Sequence, residues 1–225
     1  MIYKAAKTLG YKTLSCSFEE STDRLIESFM TRHANKRMKE RTEVEDAKAE
    51  AFISDNFYFY NNITRDNSLE TMLNLCVKLK DKIDILVIDT FSKVRSQYGC
   101  SESDLNHVKR SVQMLSHACK RLNIHIFLIA HPSKSAVSNR EVNIKGLNRS
   151  PPSLYSVSGG AVFNNDADNG LVIERMGLTC QATFCKIRDQ NYGDHEGTIK
   201  FSYNTNNRSF ENHMEEETDF NNNEF

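Results

Sequence analysis

Apolar residues and residues that favour β-strands recur in four short runs along the first 130 residues. These runs span residues 11–18, 57–60, 84–89 and 125–130. The last two are almost continuously hydrophobic, which is typical of strands that are buried on both faces of a parallel sheet. The pattern therefore predicts four strands, two of them in the interior of the protein.

The segments between these runs have the spacing of helices. Residues 22–53 form a long charged segment for which Ser21 or Thr22 is a plausible N-cap, and shorter helical segments follow at 68–80 and 103–122. Because strands alternate with helices, the pattern predicts βαβ units. We therefore expect an α/β fold with a mostly parallel sheet flanked by helices.

The pattern changes after His131. Residues 132–169 are a long polar stretch, and loops of this length are uncommon in compact domains unless they are functional or disordered. Strand patterns return at residues 170–176, 180–190 and 197–204, separated by turn-forming residues. We expect these to be antiparallel strands that close the sheet.

The length of 225 residues suits one domain, which we assign to residues 1–210. The chain has no run of about 20 apolar residues, which a membrane-spanning helix needs, so no membrane partner is expected. Its first residues lack the apolar core of a signal peptide. The six cysteines are scattered without a CxxC pair, which favours reduced thiols in a cytoplasmic compartment over zinc ligands.

The net charge of −1 hides an asymmetry along the chain. Residues 211–225 contain six acidic residues and no Lys or Arg, which is typical of a disordered, solvated tail. The remaining residues carry an excess of five positive charges. A mildly basic body of this kind permits nucleic-acid binding but does not establish it.

Residues able to bind a metal ion or move a proton stand where three of the apolar runs end. Glu19 and Glu20 follow the first run, Asp89 ends the third, and His131 follows the fourth. In doubly wound sheets, ligands bind beyond the carboxyl ends of the strands, so these residues should meet at one edge. They would supply a ligand for Mg²⁺, a candidate general base and a contact to a γ-phosphate.

Each of these residues also has a structural interpretation. An Asp after a strand is often a helix cap, a His in this position is often structural, and Glu19 could complement the dipole of the following helix. The residue after Asp89 is Thr90, so no adjacent carboxylate can serve as the base, and the chain contains no GxxxxGK[ST] phosphate loop. The coincidence at three successive strand ends nevertheless favours a nucleotide site.

The order of these motifs resembles the RecA-like motor domain of DnaB- and Twinkle-type hexameric replicative helicases, including the phage primase–helicases. "SFEES" looks like the segment with the catalytic glutamate of that family, which corresponds to Glu19. "LVIDTF" is similar to its Walker B strand, which implies that Asp89 holds Mg²⁺ and that Thr90 also lies at the cofactor. "FLIAHPSK" resembles the strand that ends in a γ-phosphate sensor, here His131.

A further segment continues the resemblance, which extends to about residue 210. "KIRDQ" is similar to the family's K-x-R segment, which implies that Lys186 and Arg188 reach the ATP of a neighbouring subunit. Because these two residues alternate on a predicted strand, their side chains should lie on the same face. A pair of surface cations on an edge strand is the alternative interpretation.

At the end of the long polar stretch, "SVSGGAVFNNDADNGLVIER" is similar to the family's Gly-containing DNA-binding loop and the strand that follows it. Cations and backbone N–H groups suit the phosphates of single-stranded DNA, which carry no sequence information. A solvated surface loop is the alternative interpretation. The candidate DNA-binding residues are Lys134, Arg140, Lys145, Arg149, Ser158, Gly159 and Gly160.

The resemblance implies an ATP-dependent DNA helicase that uses Mg²⁺ and assembles as a ring. In that family the ring is hexameric. The family's phosphate loop precedes the helix to which residues 1–9 correspond, so we expect the 225-residue chain alone to be inactive. Two alternatives stay open. One is a RecA-type or clock-type ATPase, and the other is a non-catalytic module that binds DNA or joins a ring.

Overall fold

Four parallel strands form one sheet in the order β2-β1-β3-β4. The computed structural model describes residues 1–60, 66–96, 103–133, 153–189, 191 and 197–212. All four strands predicted for the first 130 residues are confirmed. Their bounds are Thr13–Ser17 for β1, Phe57–Phe59 for β2, Ile85–Asp89 for β3 and His125–Ile129 for β4.

Helices connect these strands and cover the sheet. Because consecutive strands run parallel, each connection must cross over, as the alternating pattern predicted. The α/β fold class is therefore confirmed. The helices are α1 (Ile2–Leu9), α2 (Thr22–Ala34), α3 (Glu43–Asn56), α4 (Leu69–Lys78), α5 (Asp104–Leu122) and α6 (Gly160–Asp166).

The long helical segment predicted for residues 22–53 is in fact two helices. Helix α2 ends where Asn35 adopts a left-handed conformation (φ 57°), and α3 starts anew with Thr42 as its N-cap. The guanidinium of Arg41 lies between them with its side chain only 1% exposed, and it forms ion pairs with Glu27 of α2 (2.7 Å) and Asp46 of α3 (2.5 Å). Charged residues of this segment thus join the two helices.

The apolar residues form two clusters. The larger one lies around β1, β3, α4 and α5 and includes Leu86, Ile88 and Met72, none of which is exposed to solvent. The smaller one is rich in aromatic rings and packs α1, α2, α3 and β2 together around Phe29 and Phe57. The β1–β3 pair is therefore held rigidly between helices at the centre of the domain.

Strand β4 is less buried than its sequence predicted. The prediction of burial on both faces is wrong, because His125 and Ile129 are exposed and the residues between them are half-buried. Among the described residues, β4 pairs with β3 alone and forms the edge of the parallel sheet. Burial of a strand depends on its neighbours, which hydrophobicity along one segment does not reveal.

The second half of the chain forms a separate antiparallel sheet in the order β5-β6-β7-β8. The three predicted antiparallel strands are confirmed, and β8 completes a hairpin with β7, but in the described residues these strands do not extend the parallel sheet. Strand β8 also includes the first two residues of the predicted tail; residues 213–225 lie outside the described residues. The bounds are Asn169–Met176 for β5, Thr179–Ile187 for β6, Thr198–Asn204 for β7 and Ser209–Asn212 for β8.

Hydrogen bonds attach the turn between β7 and β8 to helix α2 and the segment after it. The Arg32 Nε atom donates to the carbonyl of Arg208 at 2.7 Å, and Asn207 donates to the side chain of Asn35 at 2.7 Å. These bonds place the antiparallel sheet beside the helix that follows β1. None of the helices in the described part of the chain is long and apolar enough to cross a membrane.

Candidate active site

The carboxyl ends of β1, β3 and β4 lie side by side. Asp89, the last residue of β3, pairs in register with Ser17 of β1 on one side and with Ile129 of β4 on the other. The Phe18 N–H donates to the Asp89 carbonyl at 2.6 Å and continues the β1–β3 ladder. The predicted convergence of strand ends at one edge of the sheet is therefore confirmed.

Two of the predicted site residues touch each other across the end of β3. The Nε2 atom of His131 lies 3.2 Å from Oε2 of Glu19, and the two side chains are 58% and 42% exposed. Asp89 belongs to the strand between those that lead to Glu19 and His131. We call these three residues the strand-end cluster. It is open to solvent and accessible to a ligand.

Glu19 lies in a short turn between β1 and α2. The hydroxyl of Ser17 accepts the N–H of Glu20 at 3.3 Å, and Ser21 caps α2 by accepting the N–H of Arg24. Because α2 begins at Thr22, Glu19 does not belong to the first helical turn, and its carboxylate contacts His131 instead. This position supports the functional interpretation of Glu19 over the helix-dipole interpretation.

Asp89 is half-buried and carries a perturbed carboxyl group. Burial raises its pKa first, and the nearby carboxylates of Glu19 and Glu20 raise it further, whereas His131 acts in the opposite direction. The helix-cap interpretation fails, because the N-cap of the short 3₁₀ helix after β3 is Thr90. Asp89 is thus a carboxylate in a site with excess negative charge.

This arrangement fits a Mg²⁺ ion that arrives with a nucleotide. Within the described ranges, no group of three or more His, Cys, Asp or Glu side chains could hold a metal ion by itself. Magnesium is usually bound by one or two carboxylates together with phosphates and water. Asp89 can supply that carboxylate, and a cation there would offset the repulsion from Glu19 and Glu20.

Replacing Asp89 with Asn is expected to raise the melting temperature of the chain at pH 7 without divalent cations, by about 2 °C after solvent screening. A carboxyl whose pKa is raised by folding stabilises the fold below its unfolded pKa and loses that contribution as pH rises through its folded pKa. The gain from Asn should therefore vanish near about pH 4. Circular dichroism melts from pH 4 to 8 measure it.

The matched control is Asp23→Asn. Asp23 lies in the first turn of α2, where a negative charge stabilises the helix, so this change should lower the melting temperature at pH 7. A lower melting temperature for Asp89→Asn as well would contradict the inferred cost of ionising Asp89.

Thr90 does not face the site, although it was predicted to contact the cofactor. Its side chain is 0% exposed, and its hydroxyl donates to the carbonyl of Ile129 at 3.0 Å. The cis peptide bond between Asp89 and Thr90 joins the exposed end of the strand to this buried position. Thr90 therefore connects β3 to β4.

The side chain of Lys186 contacts the carboxyl-terminal end of helix α6. Its Nζ atom donates to the carbonyl of Asn164 and, at 3.1 Å, to that of Asn165. Burial lowers the pKa of Lys186 first, and the charge of Arg188 lowers it further. The last carbonyls of a helix lack partners within the helix, so a cation here satisfies them and interacts favourably with the helix dipole.

Arg188 binds the same end of α6 and is 48% exposed. Its Nη2 atom donates to the carbonyls of Asn165 at 2.9 Å and Asp166 at 3.1 Å, and its Nη1 atom pairs with Asp168 at 3.0 Å. Both cations thus act on one helix, as side chains on the same face can. Arg188 also lines a small cleft of about 290 Å³.

The two glycines predicted to approach DNA have a packing role in this structure. Gly159 has φ 76° and caps α6, and a Cβ atom there would lie 3.0 Å from the side chain of Val108. A Cβ on Gly160 would lie 2.5 Å from the Cα atom of Tyr155. Both positions therefore need glycine for packing, whereas Ser158 before them is exposed. The candidate cations Lys134, Arg140, Lys145 and Arg149 lie outside the described residues.

A cleft that the sequence did not predict lies beside the strand-end cluster. It has a volume of about 580 Å³ between α2 and the β7–β8 turn, and Arg175 stacks its guanidinium 5.8 Å from the Tyr203 ring that lines it. Guanidinium groups and an aromatic ring can hold a planar or anionic group. Its residues come from distant segments, so no local pattern could reveal it: Glu20, Arg24, Glu27, Ser28, Tyr203 and Arg208.

Residues 7–137, more than half of the chain, match the family model described as an AAA domain. The chain belongs to this family. The chain is also 22% identical over 187 residues to the Twinkle homolog protein, chloroplastic/mitochondrial, of Arabidopsis thaliana. The match covers 78% of the chain and 25% of the relative, so the chain spans about a quarter of that protein.

Solved structures of similar fold include an ATPase domain and a replicative helicase. The ATPase domain superposes with a TM-score of 0.76 at 15% identity, covering 94% of this chain and 79% of that one. A DnaB-like replicative helicase, solved in a study of its interactions with primase, gives 0.72 at 14% identity, covering 90% and 50%. The predicted RecA-like fold and the resemblance to DnaB- and Twinkle-type helicases are thus confirmed.

A recombinase shares the fold at a lower TM-score. The RadB recombinase superposes with a TM-score of 0.53 at 12% identity, covering 94% of this chain and 83% of that one. At such identities, the likeness shows the RecA-like fold alone. The chain therefore has a RecA-like fold, and its activity must be argued from its own residues.

Proposed function

We propose that this AAA domain is the ATP-hydrolysing motor of a DnaB/Twinkle-type replicative DNA helicase, which moves along single-stranded DNA as a ring in a reducing replication compartment. The strand-end cluster carries the proposal: Glu19 touches His131 at 3.2 Å across the end of β3, which terminates in Asp89. Hydrolysis of a nucleoside triphosphate needs a metal-binding carboxylate, a base and a phosphate contact, and these three residues have the required chemistry.

Each residue of the cluster has a distinct proposed role. Asp89 holds the Mg²⁺ ion, which neutralises charge on the phosphates when bound. Glu19 orients the attacking water and accepts its proton. His131 binds the γ-phosphate and, through its contact with Glu19, links phosphate binding to the position of the base. The base thus comes from the end of β1 and not from the residue after Asp89.

The contacts to a neighbouring subunit and to DNA are part of the same proposal. Arg188 is half exposed at a cleft and can reach a phosphate of the next subunit, with Lys186 beside it. We assign the single-stranded DNA contacts to residues within the polar stretch 132–169. Its proposed residues are Lys134, Arg140, Lys145, Arg149, Ser158, Gly159 and Gly160.

The 225-residue chain by itself is expected to bind Mg-ATP weakly and not to hydrolyse it. Its sequence contains no GxxxxGK[ST] loop, whose backbone N–H groups and lysine supply most of the affinity for the phosphates. Phosphate-release assays and titration with a fluorescent ATP analogue test this expectation. Hydrolysis above background that disappears in Glu19→Gln would contradict it.

The proposed function is tested on the polypeptide that the gene encodes. The coding DNA is first translated in frame upstream of the Met1 codon, and any longer polypeptide with a phosphate loop is used for the assays. ATP hydrolysis is measured with and without single-stranded DNA, and unwinding is measured on a forked duplex. DNA-stimulated hydrolysis with unwinding is the expected result.

Other outcomes identify the alternatives. DNA-stimulated hydrolysis without unwinding would indicate a RecA-type or clock-type ATPase, whose fold is shared by RadB. Binding to DNA or to a ring without hydrolysis would indicate a non-catalytic module. Either outcome would overturn the proposed helicase motor.

A further inference from the structure

The carboxyl end of β3 is joined to its two neighbours by different kinds of bond. Toward β1, the backbone N–H of Phe18 donates to the carbonyl of Asp89 at 2.6 Å. Toward β4, the side-chain hydroxyl of Thr90 donates to the carbonyl of Ile129 at 3.0 Å. On the β4 side, a side-chain hydroxyl therefore adds to the backbone pairing of Asp89 with Ile129.

This hydroxyl binds the chain two residues before His131. Ile129 is the last residue of β4, and in the described part of the chain β4 is an edge strand held by β3 alone. Beyond His131, the chain is fixed again where the Ser133 N–H donates to the carbonyl of Ser156 at 2.7 Å. His131 thus lies on a short span between two anchors, one of which is the Thr90 bond.

The burial of Thr90 excludes a direct contact with a nucleotide. Its side chain has no exposed surface, so the hydroxyl can act only on the protein around it. Among the described residues, this hydroxyl bonds to Ile129, on the strand that leads to the γ-phosphate contact. A change in that bond reaches the nucleotide only through the position of His131.

We propose that Thr90 is a positioning residue whose hydroxyl holds the end of β4 so that His131 meets Glu19 across Asp89. The inference rests on the proposed function for its effect on ATP hydrolysis, and on the geometry alone for its effect on the Glu19–His131 contact. Thr90 takes no part in the chemistry. It fixes the separation between the phosphate contact and the base, to which hydrolysis is sensitive.

Two substitutions separate the hydroxyl of Thr90 from its shape. Thr90→Val keeps the branched shape in a buried position and removes the donor to Ile129. Thr90→Ser keeps the donor and removes a buried methyl group, which costs packing. A positioning role predicts a defective site in Val and a normal site in Ser. A purely structural role predicts that the defect of each variant follows its loss of stability.

The contact between Glu19 and His131 is measured first, on the 225-residue chain. NMR spectra of labelled imidazole side chains, with nuclear Overhauser effects between the segments of His131 and Glu19, report their proximity. In Thr90→Val this proximity should be lost while the Phe18–Asp89 pairing persists, and in Thr90→Ser it should persist. An unchanged His131 environment in a folded Thr90→Val chain overturns the proposal.

Hydrolysis is then measured in the polypeptide whose wild type hydrolyses ATP. Thr90→Val should lower kcat by about tenfold or more, since misplacement by about 1 Å can cost about 10²-fold in rate. Thr90→Ser should restore kcat even with a lower melting temperature. Wild-type kcat in Thr90→Val, or loss of kcat in a folded Thr90→Ser, overturns the proposal.

The two measurements fail separately. If the wild type hydrolyses no ATP, the proposed function fails, and the NMR comparison still decides whether Thr90 places His131 beside Glu19. If Thr90→Val does not fold, Thr90→Ser decides: wild-type kcat with a lower melting temperature supports the proposal, and a reduced kcat overturns it.

Discussion

Replacement of Glu19 by Gln is expected to lower kcat for ATP hydrolysis by about 10²–10⁴-fold, the range contributed by a positioned general base. Glutamine has nearly the same shape and can still form a hydrogen bond with His131, but it cannot accept a proton from water. Binding of Mg-ATP should therefore persist, because Asp89 and His131 are unchanged. Single-turnover hydrolysis and nucleotide titration measure the two effects.

Glu20→Gln is the matched control for this change. Glu20 is the adjacent carboxylate and is also exposed, but it lines the cleft beside α2 and its N–H is bound to Ser17. Its replacement should change kcat by less than about tenfold, the lower limit of a lost base being near about 10². A larger loss in Glu20→Gln than in Glu19→Gln would assign the base to Glu20.

Replacement of Arg188 by Ala is expected to lower kcat by about 10³-fold in an assembly made only of the variant, which is the lower end of the range for an arginine that stabilises phosphoryl transfer from a neighbour. In mixed assemblies, the variant should also inactivate adjacent wild-type subunits. The activity should then fall more steeply than the fraction of variant subunits. Hydrolysis rates across a series of mixing ratios measure this.

Asp168→Asn distinguishes the ion pair of Arg188 within its own subunit from its proposed contact with a neighbouring subunit. This change removes the ion pair with Arg188 within the subunit and leaves the guanidinium in place. It should have little effect on hydrolysis if Arg188 acts on a neighbour. An equal loss in Asp168→Asn, or a strictly proportional decline in the Arg188→Ala mixtures, would show that Arg188 acts only by supporting its own subunit.

The positions of Glu19, Asp89 and His131 were predictable because they depend on local information. Hydrophobic runs identify strands, and parallel neighbours bring their carboxyl ends to one edge. Three of the strands also had a candidate site residue at their carboxyl end or two residues beyond it. The contact at 3.2 Å between Glu19 and His131 is therefore a consequence of strand order.

Other features depend on contacts between distant segments and could not be predicted. The burial of Thr90 depends on its contact with β4, where its hydroxyl donates to the carbonyl of Ile129. The exposure of β4 depends on which strand pairs beside it, and the break between α2 and α3 depends on the buried Arg41. A pattern along one segment contains none of this information.

Helix α6 was also not predicted. Its sequence, Gly160–Asp166, is short and lies within a stretch with loop composition. Its stability comes from outside the helix. Gly159 packs against Val108 at one end, and Lys186 and Arg188 bind the carbonyls at the other. Helices this short depend on tertiary contacts more than on intrinsic propensity.

If Arg188 contacts a neighbouring subunit as proposed, its bonds to the end of α6 bear on that contact. The Nη2 group of Arg188 donates to the carbonyls of Asn165 and Asp166, so its two protons are already used in this geometry. A neighbour's phosphate that binds Nη2 would displace these carbonyls. Phosphate binding at one subunit and hydrogen bonding at the end of the next subunit's helix would then oppose each other.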